Sequence, residues 1–420
     1  MTGPEYEVVI VGAGPAGISA ACVVAETGRD ALLIDDNPSP GGQIWREQER
    51  HGSNWEAAHW LRRLQLYRVE VLRGATVIDG DPDKHAIVCE TANSVSTIRY
   101  KKLILATGSR ELFLPFPGWT LPNVMGAGGL QALVKAGMPI SGKRVVIAGS
   151  GPLLLAVGAY LKKQGAHVLA IAEQASWARL ARFGLGLPTQ PYKLAEAVQL
   201  KRALFRVPYH AGAWVEAALG ETVLERVRLS LSHRRWDAPC DYLAVGFGLV
   251  PNIELAATLG CKLSAGCVQV DPMQQTSASD ILSAGETTGI GGVELSLMEG
   301  RIAGYSAIGD RLNAQWLFSD RERMRRFARR MQKAFALREE LRHLPLEGTL
   351  VCRCEDVSYQ RIAPMPGWRA AKLHTRCGMG PCQGRVCGPA AEFLFGWHCQ
   401  STRAPVFPAR IDSLIGHTEE

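Results

Sequence analysis

Residues 7–28, EVVIVGAGPAGISAACVVAETG, confine the start of this chain to one kind of structure. A short apolar run leads into Gly12, Gly14 and Gly17 at G-x-G-x-x-G spacing, and an apolar helical pattern follows. The stretch predicts a buried strand, a tight turn and a helix. In such a turn the first glycine permits the bend, the second lets a pyrophosphate approach the backbone, and the third lets helix and strand pack closely. The helix N-terminus then meets the phosphate charge. The spacing carries weight because a strand precedes it and a helix follows it. The next strand, ALLIDD, ends in Asp35 and Asp36. Asp35 lies 21 positions beyond Gly14, where a carboxylate accepts hydrogen bonds from a ribose and disfavours a 2′-phosphate.

The plan recurs. SGKRVVIAGSGPLLLAVGAYLKKQGAHVLAIAE (141–173) again reads strand, turn, helix, strand. Gly149 and Gly151 are present, but Leu154 stands at the third glycine position. A leucine there pushes the helix off the strand, or fills space that cofactor or backbone would use. Glu173, at the end of the following strand, could still hold a ribose. Three readings of this repeat stand side by side: an NADH site, a site for another nucleotide, or a domain retained for packing or partner contact.

Between and after the repeats come NPSPGGQIWR (37–46), KLILATGSR (102–110), GFGLVPNIEL (246–255) and DILSAGETTGIGGVELSLMEGRIAG (280–304). With these the chain resembles the flavoproteins with two dinucleotide-binding domains, the class of thioredoxin and glutathione reductase. The resemblance implies an α/β fold with two Rossmann-like domains and FAD on the first fingerprint. It implies FAD contacts from Gly12, Gly14, Pro15, Ala16 and Gly17 on the turn, and from Asp35, Asp36, Gly42, Gln43 and Val77 around the second strand. The A-T-G crossover adds Ala106, Thr107 and Gly108, and the late pair Gly285 and Glu286 reaches the ribityl chain. The class usually has aspartate where this chain has Glu286. Reductases of the class also place a close cysteine pair beside the flavin. Here Cys22, Cys89, Cys240, Cys261 and Cys267 are scattered and none form C-x-x-C, which argues against disulfide reductase chemistry. Cys22, on the apolar helix after the first turn, reads as a small core residue.

Five of the eleven cysteines crowd into residues 352–387, in VCRCED and TRCGMGPCQGRVCG. Cys-x-Cys puts two thiolates close enough to chelate one iron, and a second pair can hold another; four thiolates suit a [2Fe–2S] cluster. Zinc is the alternative, since four thiolates also form a tetrahedral site. The flavin context favours iron, which moves single electrons. The module resembles the small [2Fe–2S] domain named after the bacterioferritin-associated ferredoxin. That resemblance points to Cys352, Cys354, Cys382 and Cys387 as ligands, with Cys377 beside them; a competing set uses Cys377 and Cys382. PMPGW (364–368) fills the place where that domain normally has a helix. Cys399 reads as ordinary packing.

Together GSGPLLL, AGETTGIGG, CRCED, TRCGMGPCQGRVCG and RAPVFPARIDSL resemble one family across nearly the whole chain. It comprises the FAD/[2Fe–2S] alpha subunits of heteromeric amino-acid dehydrogenases: D-hydroxyproline dehydrogenase, opine oxidase, hydrogen cyanide synthase and dye-linked proline dehydrogenase. In this family a flavoprotein beta subunit oxidises the C–N bond of an amine, a small ferredoxin-like subunit often completes the complex, and the alpha subunit receives or relays electrons. The expected function is electron relay between FAD and the cluster, with D-hydroxyproline, an opine or a related amine oxidised in the partner. Two alternatives are a self-sufficient NADH-dependent ferredoxin-type reductase and a non-catalytic assembly subunit. No residue reads as a substrate base.

The expected division is a discontinuous FAD domain (1–115 and 240–312), a degenerate second dinucleotide domain (116–239), a charged helical linker (313–345), and the iron–sulfur domain with a C-terminal tail (346–420). The 420 residues carry a net charge of +7, partly from the run SDRERMRRFARRMQK (319–333). That run reads as a solvated basic helix face, not a nucleic-acid site. No apolar run reaches the ~18–20 residues of a membrane span. The N-terminus shows no signal-peptide pattern. A reducing, cytoplasmic setting is the expectation, where clustered cysteines signal metal or redox chemistry.

Overall fold

The computed structural model describes residues 4–45, 54–232, 234–398 and 402–415. Cys399 lies outside them. The chain divides into two compact units, Met1–Arg110 with Val250–Arg329 and Ser401–Glu420, and Glu111–Leu249 with Arg330–Gln400.

The first unit is built on a seven-stranded sheet in the order Glu70–Arg73, Ala31–Asp35, Glu5–Val11, Val95–Leu105, Ala86–Glu90, Thr76–Asp81, with Ile281–Ser283 also pairing with Val95–Leu105. The central pairings are parallel, which requires both faces to be covered. One face packs the helices Pro15–Glu26, Trp55–Leu66 and Val293–Ala307. The other packs a core of Ile87, Tyr100, Leu255 and Leu259, joined by Val406 from the C-terminal segment. Val406 N–H donates to the Ile78 carbonyl at 2.6 Å, and Arg410 Nε to Glu90 Oε1 at 2.9 Å.

Pro15 opens its helix at the first position, where a missing N–H costs nothing. That helix meets Val293–Ala307 almost backbone to backbone. A Cβ on Gly300 would fall 2.1 Å from the Ala16 carbonyl oxygen, and one on Gly304 2.9 Å from that of Ala20. The contact brings the loop before the second helix, with Gly285 and Glu286, against the first glycine turn.

The second unit repeats the theme. Its five-stranded sheet runs Tyr209–Ala211, His167–Glu173, Arg144–Gly149, Tyr242–Gly246, Val124–Gly126, all parallel. Helices Ala127–Lys135 and Leu153–Lys163 pack on one face. The antiparallel strands Ala213–Leu219, Arg226–Leu231 and Arg234–Pro239 cover the other.

The stretch read as one long linker helix resolves into Arg311–Trp316, Phe318–Ala334 and a single 3₁₀ turn at Glu339–His343. The cysteine-rich module has its own small core of Val351, Val357, Ile362, Trp368, Ala371 and Ala391, with Cys352, Cys377 and Cys387 inside it. A hairpin (Leu350–Cys352, Val357–Ser358) and the helices Tyr359–Ile362, Trp368–Thr375 and Cys387–Phe395 surround that core. PMPGW therefore leads into a helix that starts at its tryptophan. Trp119 Nε1 donates to the Leu350 carbonyl at 2.6 Å and ties the hairpin to its unit.

Candidate functional site

The first glycine turn combines tight packing with an open edge. A Cβ on Gly12 would sit 2.2 Å from the Ala106 carbonyl oxygen, and one on Gly17 1.8 Å from that of Gly12. Both positions admit only hydrogen. A Cβ on Gly14 would meet nothing within 4 Å. Gly14 thus faces space the protein leaves open, at the N-terminus of a twelve-residue helix, where phosphate oxygens find backbone N–H groups.

Around this turn the structure gathers most residues singled out in the sequence. Gly42 lies over it, a Cβ there falling 3.0 Å from the Gly14 Cα. Gly41 N–H bonds the Ala13 carbonyl at 2.7 Å. Gln43 is exposed. Asp35 is buried and braces the loop: Oδ2 accepts from Ala13 N–H, and Oδ1 from the Asn37 backbone and side chain, both at 2.8 Å. Asp36 is exposed, its Oδ1 accepting from Asn37 Nδ2 at 2.7 Å. Val77 lies two residues beyond Ala75, whose N–H bonds the Asp35 carbonyl at 3.0 Å; the Val77 side chain enters the core. At the crossover, Thr107 Oγ1 donates to the Asn252 carbonyl at 2.7 Å, and Asn252 Nδ2 returns a bond to the Thr107 carbonyl at 2.9 Å.

Glu286 answers a question its length raised. Its Oε1 accepts from Gly292 N–H at 2.8 Å and Gly291 N–H at 3.4 Å, at the start of helix Val293–Ala307. Its Oε2 is buried with no hydrogen-bond partner among the described residues. Burial pushes the carboxyl up, against the backbone bonds from Gly292 and Gly291. A buried acceptor without a partner costs about 1–3 kcal/mol, and Ser109 is the nearby hydroxyl that acts on this carboxyl.

Behind the Gly285–Glu286 loop lies a network absent from the sequence reading. Glu299 is 2% exposed and accepts from Arg325 Nη2 (2.7 Å) and Nε (3.0 Å), Thr288 Oγ1 (2.7 Å) and Gly285 N–H (3.1 Å). Arg321, 3% exposed, donates to Pro272 O and Gln274 Oε1. The basic run thus turns two of its arginines inward, which corrects the view of it as a wholly solvated face. Helix burial is decided by what packs against it, and Arg stems tolerate burial when the head is bonded. A glutamate within the apolar pattern VELSLMEGRIAG was the available signal.

In the second fingerprint Leu154 is fully buried and lies against Gly246, where a Cβ would come 3.3 Å from Leu154 Cδ2. It fills the helix–strand gap. Glu173 turns inward to Gly151 N–H and Ala175 N–H, both at 2.8 Å, and burial pushes its carboxyl up to about 7.

In the cysteine-rich module, Cys352, Cys377 and Cys387 are buried with sulfurs all within 4.8 Å of one another. The Cys377 and Cys387 S–H groups stabilise a Cys352 thiolate and pull that thiol down to about 2, while the same contacts push Cys387 up. Cys354 and Cys382 interact with each other nearer the surface. The patch thus holds all five thiols, with Cys377 inside the buried trio. Gly380 allows the close approach, since a Cβ there would fall 2.4 Å from Cys354 Cβ. A thiolate held inside a thiol cluster is donor chemistry for a soft metal. Cys22, Cys89 and Cys240, by contrast, are isolated by burial, which pushes each to about 12. Among the described residues no helix is long and apolar enough to cross a membrane.

The pyridine nucleotide-disulphide oxidoreductase family matches residues 6–305. The HcnB subunit of hydrogen cyanide synthase from Pseudomonas aeruginosa is 31% identical, covering 90% of each chain. An opine oxidase subunit from Agrobacterium tumefaciens is 29% identical over 98% of this chain and 92% of its own. The fold resembles L-proline dehydrogenase from P. horikoshii, with a TM-score of 0.68 at 18% identity, over 98% of this chain and 79% of that one. It also resembles T. acidophilum thioredoxin reductase, with a TM-score of 0.55 at 20% identity, over 75% and 98%.

Proposed function

The chain belongs to the pyridine nucleotide-disulphide oxidoreductase family, in the group that includes HcnB and its opine oxidase counterparts, and from that premise we propose that it relays electrons within a heteromeric amine dehydrogenase. It is an FAD-dependent oxidoreductase subunit. The proposed substrate class is an amino acid or opine, D-hydroxyproline among them, oxidised in a partner flavoprotein; a small ferredoxin-like subunit completes the assembly.

The observation that carries this reading is the thiol patch, Cys352, Cys377 and Cys387 within 4.8 Å with Cys354 and Cys382 beside them, in a chain that also bears the flavin-type turn. FAD together with a [2Fe–2S] cluster supplies the conversion of two-electron delivery into one-electron transfer. The chain's own residues provide placement. Gly12, Gly14 and Gly17 shape the phosphate edge, with Gly42 above it. Glu286 offers its unpartnered Oε2 to a hydroxyl. The proposed ligands are Cys352, Cys354, Cys382 and Cys387; Cys354 lies beside Cys382, and Cys352 beside Cys387 and Cys377, so the two irons would divide the set in that way and not by the Cys-x-Cys pair that the spacing suggested.

The test is an anaerobic titration of the purified chain, following flavin and cluster absorbance together. Dithionite should bleach both, and the amine substrate should do so only when the partner flavoprotein is added. Zinc in place of iron, or a flavin that the complete complex cannot reduce, would refute the proposal.

A further inference from the structure

In an open parallel α/β sheet, nucleotides bind outside the carboxyl ends of the strands. In the second unit three of the five such ends are Gly149-Ser150-Gly151, Glu173-Gln174 and Ala211-Gly212. All three are bonded to one stretch of the chain itself, residues 335–338. Ser150 Oγ donates to the Phe335 carbonyl at 2.8 Å. Gln174 Nε2 donates to Ser150 Oγ at 2.8 Å, and to the Ala336 and Phe335 carbonyls at 3.2 and 3.4 Å. Its Oε1 accepts from Arg338 N–H at 3.0 Å. Arg338 Nη1 donates to the Gly212 carbonyl at 3.0 Å, and its guanidinium lies 3.9 Å from the centre of the Trp214 ring. Arg179 Nη1 adds a bond to the Ala336 carbonyl at 3.0 Å. The Phe335 ring stands edge-on to Phe183 at 5.5 Å.

We infer that residues 335–338 occupy the second dinucleotide site and exclude NAD(P)H from it. The segment sets its main-chain carbonyls against Ser150 and Gln174, so a nucleotide at these strand ends would have to displace it. Ser150 and Gln174, the residues a nucleotide would touch, are both buried beneath it. Leu337 packs into the same core as Leu341 and Leu344, which anchors the segment from the C-terminal side. Loss of the third glycine fits a site with no cofactor to admit. The consequence for electron entry rests on the proposed function: the donor must be a reduced centre on another protein, produced by a dehydrogenation that takes place there.

The test uses ADP-ribose, which has the dinucleotide's binding groups but no redox chemistry, on the full chain with its cofactors. Calorimetry should show no saturable binding up to ~1 mM. Binding by the wild-type chain, whether or not the segment moves, overturns the inference. Gln174→Ala removes the bonds to Phe335, Ala336 and Arg338. Hydrogen exchange of the Arg338 amide should then rise at least ~10-fold, and ADP-ribose binding should appear. Faster exchange without binding would overturn exclusion by the segment and assign it to Leu154. Should Gln174→Ala fail to fold or fail to free the segment, replacing 335–338 by Gly-Ser-Gly-Ser puts the same question; if that chain also fails to fold, Leu154→Gly with the segment intact decides, continued absence of ADP-ribose binding supporting the inference and binding overturning it. A chain that does not bind ADP-ribose and is not reduced by its partner would sink the proposed function while leaving this inference standing.

Discussion

Replacing Glu299 by glutamine tests how the structure holds the Gly285–Glu286 loop. Glu299 is almost fully buried and satisfies four donors, two on Arg325, one on Thr288 and the Gly285 N–H. Glutamine keeps the shape but removes the charge, and its NH₂ must face either Arg325 or the Gly285 and Thr288 donors. Breaking a fully buried ion pair costs about 3–5 kcal/mol. Arg325 is 27% exposed and also lies 3.3 Å from Glu322, so it keeps part of its solvation and a second partner. That brings the expected loss to about 2–3 kcal/mol. With a urea slope of ~2 kcal/mol/M, the midpoint for flavin release should fall by roughly 1–1.5 M. Release is read from FAD fluorescence, alongside far-UV ellipticity. Because Glu299 bonds Gly285 directly, flavin should leave before the bulk of the helix signal is lost. Arg325→Met should cost a similar amount, and the double variant little more than either single one, a coupling of about 2 kcal/mol. A midpoint shift under ~0.3 M, or losses that simply add, would refute the argument that this pair holds the loop.

Further outcomes follow from the same structure. Gly17→Ala forces a Cβ to 1.8 Å from the Gly12 carbonyl and should destabilise the first unit by more than ~2 kcal/mol, whereas Gly14→Ala meets no protein atom and should lower flavin content with the apoprotein's melting temperature unchanged. Glu173 is pushed up to about 7 by burial, so it holds its proton in the folded state between the unfolded value near 4.5 and 7. Its contribution is therefore fully present below pH ~4.5 and lost as pH rises through 7, up to ~3 kcal/mol; Glu173→Gln should narrow the melting-temperature gap between pH 5 and pH 8. Among single serine variants, Cys352, Cys354, Cys382 and Cys387 should each lose iron and visible absorbance, and Cys377→Ser should retain most of both; iron analysis showing the largest loss at Cys377 would favour the competing ligand set.

How far the sequence could be read depended on the range of the physics involved. The glycine turns were legible because a missing Cβ acts on atoms a few residues away. The doubled strand–turn–helix plan, and so the fold, followed from them. The crowding of five cysteines pointed to a thiol cluster for a similar reason, and three of them do gather in one buried group. Membership of the alpha-subunit family came from resemblance of the motifs together.

The tertiary structure decided which partners those residues have. Cys352 and Cys377 are 25 positions apart, and spacing could not say that they share a buried pocket with Cys387. Arg321 and Arg325 sit in a run whose charge suggested solvent, yet the helix packs so that both point inward. Residues 335–338 looked like part of a linker, and they lie across the strand ends of the second sheet. The C-terminal segment, read as the tail of the iron–sulfur module, packs Val406 into the core of the first unit. Backbone geometry is set by local sterics and is written in neighbouring residues. Burial and pairing are set by which distant surfaces exclude water together, and no local pattern contains that information.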